Sequence, residues 1–251
     1  MRGVFHAHST YSHDGRCTLP ELVSLCTARG LGFIALSEHA EDMNAARMDA
    51  FTSECKELSK TGVILLPGLE FGFSEYPKLH LLGIGVTSYI PPSDISLTIG
   101  SIREQGGLAV LAHPARNGHF VPEDLKGKLD GIEVWNAAYD SRYLPHHRSI
   151  MLYRSLKEMN PSMLAFGGLD FHTARNFREL DTVVKGSPAD AKELLNLLRN
   201  GSFTSKGRLC TIGSRQEFGY MTAGGIRLGR VLLEGADALA SLARGNRWRK
   251  Y

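Results

Sequence analysis

The sequence predicts an α/β protein of parallel strands joined by crossover helices, and two observations carry the prediction. Seven short apolar runs recur along the chain, separated by amphipathic stretches of helical period. Helix-start signals fall in the gaps between those runs. Composition agrees, because 251 residues that are 43% hydrophobic and 22% charged are globular and long enough for a sizeable core.

The expected strands cover 3–5, 32–36, 63–66, 79–86, 108–111, 131–134 and 163–166. After the first, Thr18-Leu19-Pro20-Glu21 combines a capping box with a proline inside the first turn, and Gly30 follows the apolar positions Leu22, Leu25 and Cys26. After the last, Ser187-Pro188 opens a helix carrying Ala191, Leu194, Leu195 and Leu198, which Gly201 ends. No internal repeat or low-complexity block interrupts this order, and the connections suit one compact domain over 1–205. Residues 206–251 read as a basic extension. Its Gly-rich segment 222–229 precedes a short apolar helix candidate and suits a flap, an oligomer contact or a loose tail.

Net charge is +3, but residues 205–251 hold 9 Lys/Arg against 3 Asp/Glu, which leaves 20 against 23 in the rest. A solvated basic surface explains this better than a nucleic-acid partner, and the overall charge predicts no partner. No apolar stretch approaches the roughly 20 residues of a membrane helix. The first residues lack the apolar core and cleavage site of a secretory signal, so the expected location is the cytoplasm. Cys17, Cys26, Cys55 and Cys210 are widely spaced, form no C-x-x-C pair, and are expected to be reduced.

Chemistry is concentrated at the strand ends. His6 and His8 follow the first strand, with Asp14 in the next loop; His39 follows the second and Glu70 the third. His80 opens the fourth run, His113 closes the fifth, and Asp170 and His172 close the last. In a parallel barrel or open sheet the loops after the strands gather on one face, so these nine residues converge. Without metal, such a pocket would crowd polar groups and repelling charges. Imidazole with carboxylate suits zinc, iron or manganese, and the lack of cysteine argues for an open hydrolytic site over a closed structural one. His6-x-His8 and Asp170-x-His172 have strand spacing, which points both side chains of each pair the same way. Each motif alone is weak; the ordered set is not.

The order resembles the PHP (polymerase and histidinol phosphatase) family. The pieces that carry the resemblance are Phe5-His6-Ala7-His8-Ser9, Asp14-Gly15, Ser37-Glu38-His39, Gly68-Leu69-Glu70, His80-Leu81-Leu82-Gly83, Ala112-His113-Pro114 and Gly168-Leu169-Asp170-Phe171-His172, over about residues 3–205. The resemblance implies a distorted (β/α)7 barrel with two or three divalent ions, manganese, zinc or iron. It assigns a first metal to His6, His8, Glu70 and Asp170, and a second to Glu70 as a bridge with His80 and His113. A third falls to Asp14, His39 and His172. Asp14 stands where some relatives place histidine, and Glu38 replaces the more usual aspartate, a change expected to touch only supporting contacts.

Arg116, three residues after His113, offers a planar fork of donors for a phosphate oxygen and is the candidate catalytic residue, with a loop salt bridge as the competing role. Arg142, Arg175 and Arg178 are weaker phosphate candidates. Asn136 reads as a cap and Tyr139 as a cap or a pocket residue; Glu133 reads as a support for a ligand or as surface. His13, His119, His146 and His147 lie off the pattern, the last two as solvated helix residues.

The expected reaction is hydrolysis of a phosphate ester by a metal-bound hydroxide. A small phosphomonoester is the first choice of substrate. A nucleotide, or a short oligonucleotide cut from its 5′ end, is the second, since nucleotide-acting relatives often carry an inserted domain where only 32 residues separate His80 from His113 here. A metallo-amidohydrolase is a distant alternative, because such barrels commonly carry a lysine where this chain has Glu70. A catalytically silent binding module would lack ligands, and none is missing.

Overall fold

In the computed structural model all seven expected runs form strands. The structure describes residues 1–141 and 143–243, and their side chains except at Asp124, Asn176 and 237–243. In chain order the elements are β1 (Arg2–Ala7), α1 (Leu19–Ala28), β2 (Phe33–Leu36), β3 (Glu38–His39), α2 (Ala45–Ser59), β4 (Ile64–Leu66), β5 (Gly68–Phe73) and β6 (Tyr76–Ile84). There follow α3 (Ile95–Glu104), β7 (Leu108–Leu111), β8 (Gly131–Asn136), α4 (His147–Met159), β9 (Leu164–Gly168), β10 (Leu180–Val184), α5 (Ala191–Arg199), β11 (Phe203–Gly207), β12 (Thr211–Gly213) and α6 (Tyr220–Ala243).

The strands form two six-stranded sheets, ordered β12-β11-β10-β1-β2-β4 and β3-β5-β6-β7-β8-β9. Both of their seams are bridged. On one side β2 runs into β3 through Ser37, whose N–H donates to Ala7 O at 2.9 Å, and β4 runs into β5 through Pro67. On the other, the chain leaving β9 pairs with β1: Leu169 N–H donates to Phe5 O at 2.8 Å and Phe171 N–H to His6 O at 3.1 Å. His8 N–H donates back to Phe171 O at 2.8 Å. The staves β1, β2–β3, β4–β5, β6, β7, β8 and β9 therefore close into a distorted seven-stave barrel.

The principal distortion is β6, which runs antiparallel to both β5 and β7. A two-residue connection, Ser74-Glu75, takes the place of a crossover helix there. Parallel strands throughout were expected, so this is a correction, and it moves His80. On the reversed stave His80 pairs with Gly72, near the C-terminal end of β5, and so lies on the same rim as residues at the ends of the forward staves.

Side-chain alternation sorts the staves into an inner and an outer face. Phe5, Phe33, Leu66, Leu82, Val110 and Phe166 belong to one buried cluster, the filling of the barrel, with Leu194 and Leu198 of α5 and Phe203 of β11 against it. Phe5 stacks on Phe166 at 4.6 Å between centroids, and Phe166 on Phe203 at 4.7 Å. The alternate residues, among them Val4, Ile34, Leu65, Ala109 and Ile132, join the core beneath the helices.

Helix starts follow their caps. Thr18 caps α1 with the reciprocal Glu21 contact, and Gly30 leaves the helix at φ +64°. α5 begins three residues after the expected Ser187-Pro188, because Asp190 supplies the cap, accepting from Glu193 N–H at 2.8 Å; Gly201 ends it at φ +68°. β10, β11 and β12 extend the first sheet to Gly213, so β11 crosses the boundary expected at 205. The Gly-rich segment 222–229 lies inside α6, not ahead of it. Residues 244–251 of the basic extension lie outside the described residues. No described helix is long and apolar enough to cross a membrane.

Candidate metal centre

The C-terminal ends of the forward staves and β6 surround a cavity of about 460 Å³; seven of the nine candidate ligands line it, and the fully buried His6 and His8 stand against its Glu70 and Asp170. His6, His8, Glu70 and Asp170 form one group; Glu70, His80 and His113 a second; Asp14, His39, His172 and again His8 a third. The ligand atoms within each group lie within 4.8 Å of one another. Glu70 joins the first two groups and His8 joins the first and third, so the three groups form one continuous cluster.

The backbone is bent to achieve this. His6, His113 and Asp170 adopt left-handed φ of +65°, +24° and +51°. Such values cost about 1–3 kcal/mol each in non-glycine residues and persist only where surrounding structure enforces them. At His6 the register between β1 and β2 shifts between Phe5 and Ala7. The His6 and His8 rings, 5.2 Å apart, thus converge through a bulge and not through plain strand alternation.

Buried carboxylates orient the rings. Glu133 points into the barrel from β8 and accepts from His6 Nδ1 at 2.9 Å, from His113 N–H at 2.7 Å and from Asn136 Nδ2 at 2.8 Å. A carboxylate only accepts, so His6 carries a proton on Nδ1 and turns Nε2 toward Glu70 and Asp170, 3.4 and 3.3 Å away. Glu38 does related work in the third group, accepting from Ser9 N–H, Ser9 Oγ and Ser12 Oγ at 2.9, 2.6 and 2.6 Å, while Ser12 Oγ lies 3.3 Å from His8 Nδ1. The space is tight: a Cβ on Gly168 would sit 1.6 Å from Glu133 Oε1, and one on Gly15 would sit 1.9 Å from Ser9 O.

The electrostatics are those of a cation site. Burial opposes charge on His6, yet Asp170, Glu133 and Glu70 outweigh it and hold its pKa well above the ordinary value. His8 is likewise opposed by burial but raised to about 9 by Asp170 and Glu70. Glu70 and Asp170 are held below the usual carboxylate range against their burial, His6 being the largest stabilising neighbour of each. His8 Nε2, His113 Nδ1 and Asp14 Oδ1 are buried without hydrogen-bond partners. Concentrated negative charge, imidazole nitrogens turned inward and unpartnered donor atoms fit divalent cations.

The remaining candidates divide. Arg116 enters the pocket, its Nη1 2.5 Å from His80 Nε2 and 2.9 Å from Nδ1. Tyr139 lines the same pocket, its ring 4.8 Å from that of His113. Asn136 caps a turn, accepting from Ala138 and Tyr139 N–H. His13 stays at the rim, 2.9 Å from Asp42, while Asp14 Oδ2 reaches His39 and His172 at 3.2 and 3.1 Å. Arg175 and Arg178 are not among the pocket's lining residues, and Arg142 lies outside the described residues. His146 and His147 were expected to be solvated, but both are partly buried, and His146 caps α4.

Sequence reasoning gave no role to Asp140, which follows Tyr139. Its Oδ2 accepts from Asn136 N–H at 2.8 Å, its Oδ1 has no partner, and burial pushes its pKa up to about 7. A folded pKa above the unfolded one contributes stability that is complete below about pH 4 and lost as pH rises through 7. Asp140→Asn should therefore flatten the loss of stability between about pH 4 and 7, and stabilise the protein at pH 8 by on the order of 1 kcal/mol or more. Urea unfolding at several pH values measures this, and identical pH slopes in parent and variant would refute it.

A family model, the PHP domain, matches residues 5–155. Among solved structures, a two-domain protein from Bacteroides vulgatus containing a predicted PHP-like metal-dependent phosphoesterase superposes with a TM-score of 0.61 at 20% identity, covering 83% of this chain. The chain spans only 65% of that protein. A proposed metal-dependent phosphoesterase from Bifidobacterium adolescentis gives 0.52 at 19% identity, over 79% of this chain and 96% of that one. An amidohydrolase from Chromobacterium violaceum gives 0.50 at 15% identity, over 78% and 96%. These likenesses concern the fold. No curated protein matches the chain.

Proposed function

This chain belongs to the PHP domain family, and on that footing we propose that it is a metal-dependent phosphoesterase whose substrate is a small phosphomonoester. The observation that carries the reading is the three overlapping ligand groups, joined by Glu70 and His8, in one open pocket that also receives Arg116. We assign the groups two or three ions of manganese, zinc or iron. Such ions, when bound, activate water for attack and neutralise charge on a phosphoryl group.

The chain's own residues do the positioning. Glu133 and Ser12 hold the Nδ1 edges of His6 and His8, so the Nε2 edges face Glu70 and Asp170 in fixed orientation. A guanidinium cannot share an imidazole lone pair with a cation, so with His80 holding an ion Arg116 would be free to clamp a non-bridging phosphate oxygen. Tyr139 walls the pocket beside His113 and Arg116. Pocket size favours a small ester, and the stretch between β6 and β7 holds α3 without an inserted domain. Glu70 stands where an amidohydrolase commonly carries lysine, and among the described residues no lysine lines the pocket.

The test is a panel of phosphomonoesters, nucleotides and short oligonucleotides offered to metal-stripped protein resupplied with manganese, zinc or iron, beside His8→Ala and Asp170→Ala. Metal-dependent phosphate release, absent from both variants, is the expected result; metal uptake without turnover on any substrate would sink the reading. Arg116→Ala should lower kcat/KM about 10- to 100-fold with bound metal unchanged, and Arg116→Lys should recover only part of the loss. Unaltered turnover in Arg116→Ala would remove this residue from substrate contact.

A further inference from the structure

α6 packs one face against α4, and none of the described residues covers the other. Ala223 is buried and Ile226 and Leu233 partly buried on the packed side, where the Arg230 side chain is only 13% exposed. On the opposite side Met221, Leu228, Val231 and Leu232 are 92%, 62%, 62% and 64% exposed. Gly224, Gly225 and Gly235 share that side, and a Cβ added at any of them would meet nothing within 4 Å. Offsets of 3, 4, 7, 10, 11 and 14 residues from Met221 make these positions a single stripe.

A contiguous apolar stripe of this kind marks a contact surface. Glycine discriminates between its occupants: it adds almost nothing to insertion into lipid, but it lets a second backbone approach closely. The occupant is therefore a helix, and charge selects which one. Arg227 and Glu234 flank the stripe on the same side, seven residues apart. In an antiparallel pair related by a two-fold axis, like flanks face each other. An axis between positions 230 and 231 sets Arg227 of each copy opposite Glu234 of the other, and gathers Leu228, Val231 and Leu232 of both into one central knot. Among the described residues Arg227 makes no ion pair, and Glu234 uses only Oε1, toward Arg230 at 3.0 Å.

We propose that this stripe is a homodimer interface, in which α6 pairs antiparallel with α6 of a second copy of the chain. Sedimentation equilibrium of the full chain from about 1 to about 100 µM should give twice the chain mass, a range in which specific associations of ordinary strength are populated. Leu228→Asp with Leu232→Asp should yield a monomer with unchanged circular dichroism. Arg227→Glu or Glu234→Arg alone should weaken the dimer about tenfold or more, and the two together should restore it to within about threefold. A monomer at every concentration, a dimer that survives the double aspartate variant, or a charge exchange that fails to restore association would each overturn the proposal. So would a monomer that sediments with phosphatidylcholine–phosphatidylserine vesicles.

Discussion

Glu70→Gln should reduce phosphate release about a thousandfold and remove at least one bound metal ion per chain. Glu70 Oε2 lies 3.4, 3.2 and 3.6 Å from His6 Nε2, His8 Nε2 and His39 Nδ1; Oε1 lies 2.9 Å from His113 Nε2 and contacts His80 Nδ1. Both of its oxygens are thus committed, one to each of two ligand groups. Glutamine preserves the shape but removes the charge, and turns an NH2 toward ring nitrogens that need an acceptor or a cation. Losses of this size accompany removal of one preorganised charged contact from a reacting centre. Metal content by mass spectrometry and phosphate release by single-substrate assay measure the two halves separately. A variant that keeps its metal and a tenth of its turnover would show that Glu70 is no bridge.

The largest stability effect is expected at Glu133. Three donors converge on this fully buried carboxylate: His6 Nδ1, His113 N–H and Asn136 Nδ2. Truncation to alanine strands all three without water to replace the acceptor, and leaves His6 beside Glu70 and Asp170 with no fixed orientation. Breaking a buried charge-assisted network from one side costs about 3–5 kcal/mol. Glu133→Ala should lose that much in urea unfolding, and Glu133→Gln, which keeps one acceptor oxygen, should lose less. A loss below about 1 kcal/mol, the size of an ordinary exposed contact, would contradict the role.

Much of this was legible in the sequence because both signals are local. Apolar runs mark buried staves whatever their partners, and a ligand at the end of a run is placed on a rim once the runs are parallel. The reversal of β6 was hidden. Ser74-Glu75 lacks the glycine or asparagine that marks a two-residue hairpin, and β5 is a Gly-Leu-Glu segment that reads as loop. His80 reached the right rim only because its stave runs backward. The left-handed turns at His6, His113 and Asp170 left no trace either, since residue type does not announce a strain imposed by tertiary packing.

Other losses follow from competing physics. Asp190 outranks Ser187 as a cap because its carboxylate accepts from Glu193 N–H while the Glu193 carboxylate accepts from Ala189 N–H just ahead of the cap. Glycine at 224, 225 and 229 argues against a helix by propensity, but contact of Ala223 and Ile226 with the core overrides it. Glu133 stayed ambiguous because an acidic residue in a strand points inward only when something inside needs it.

The aromatic stack Phe5–Phe166–Phe203, with α5 behind it, has a consequence for traffic. It stoppers the barrel from below, so the polar cluster is a cup with a single lip. Arg116 and Tyr139 are among the residues lining that lip. If the proposed phosphomonoesterase reading holds, orthophosphate would leave by that lip and compete there with the incoming ester, so added orthophosphate should inhibit turnover competitively; turnover indifferent to orthophosphate would count against a single entrance.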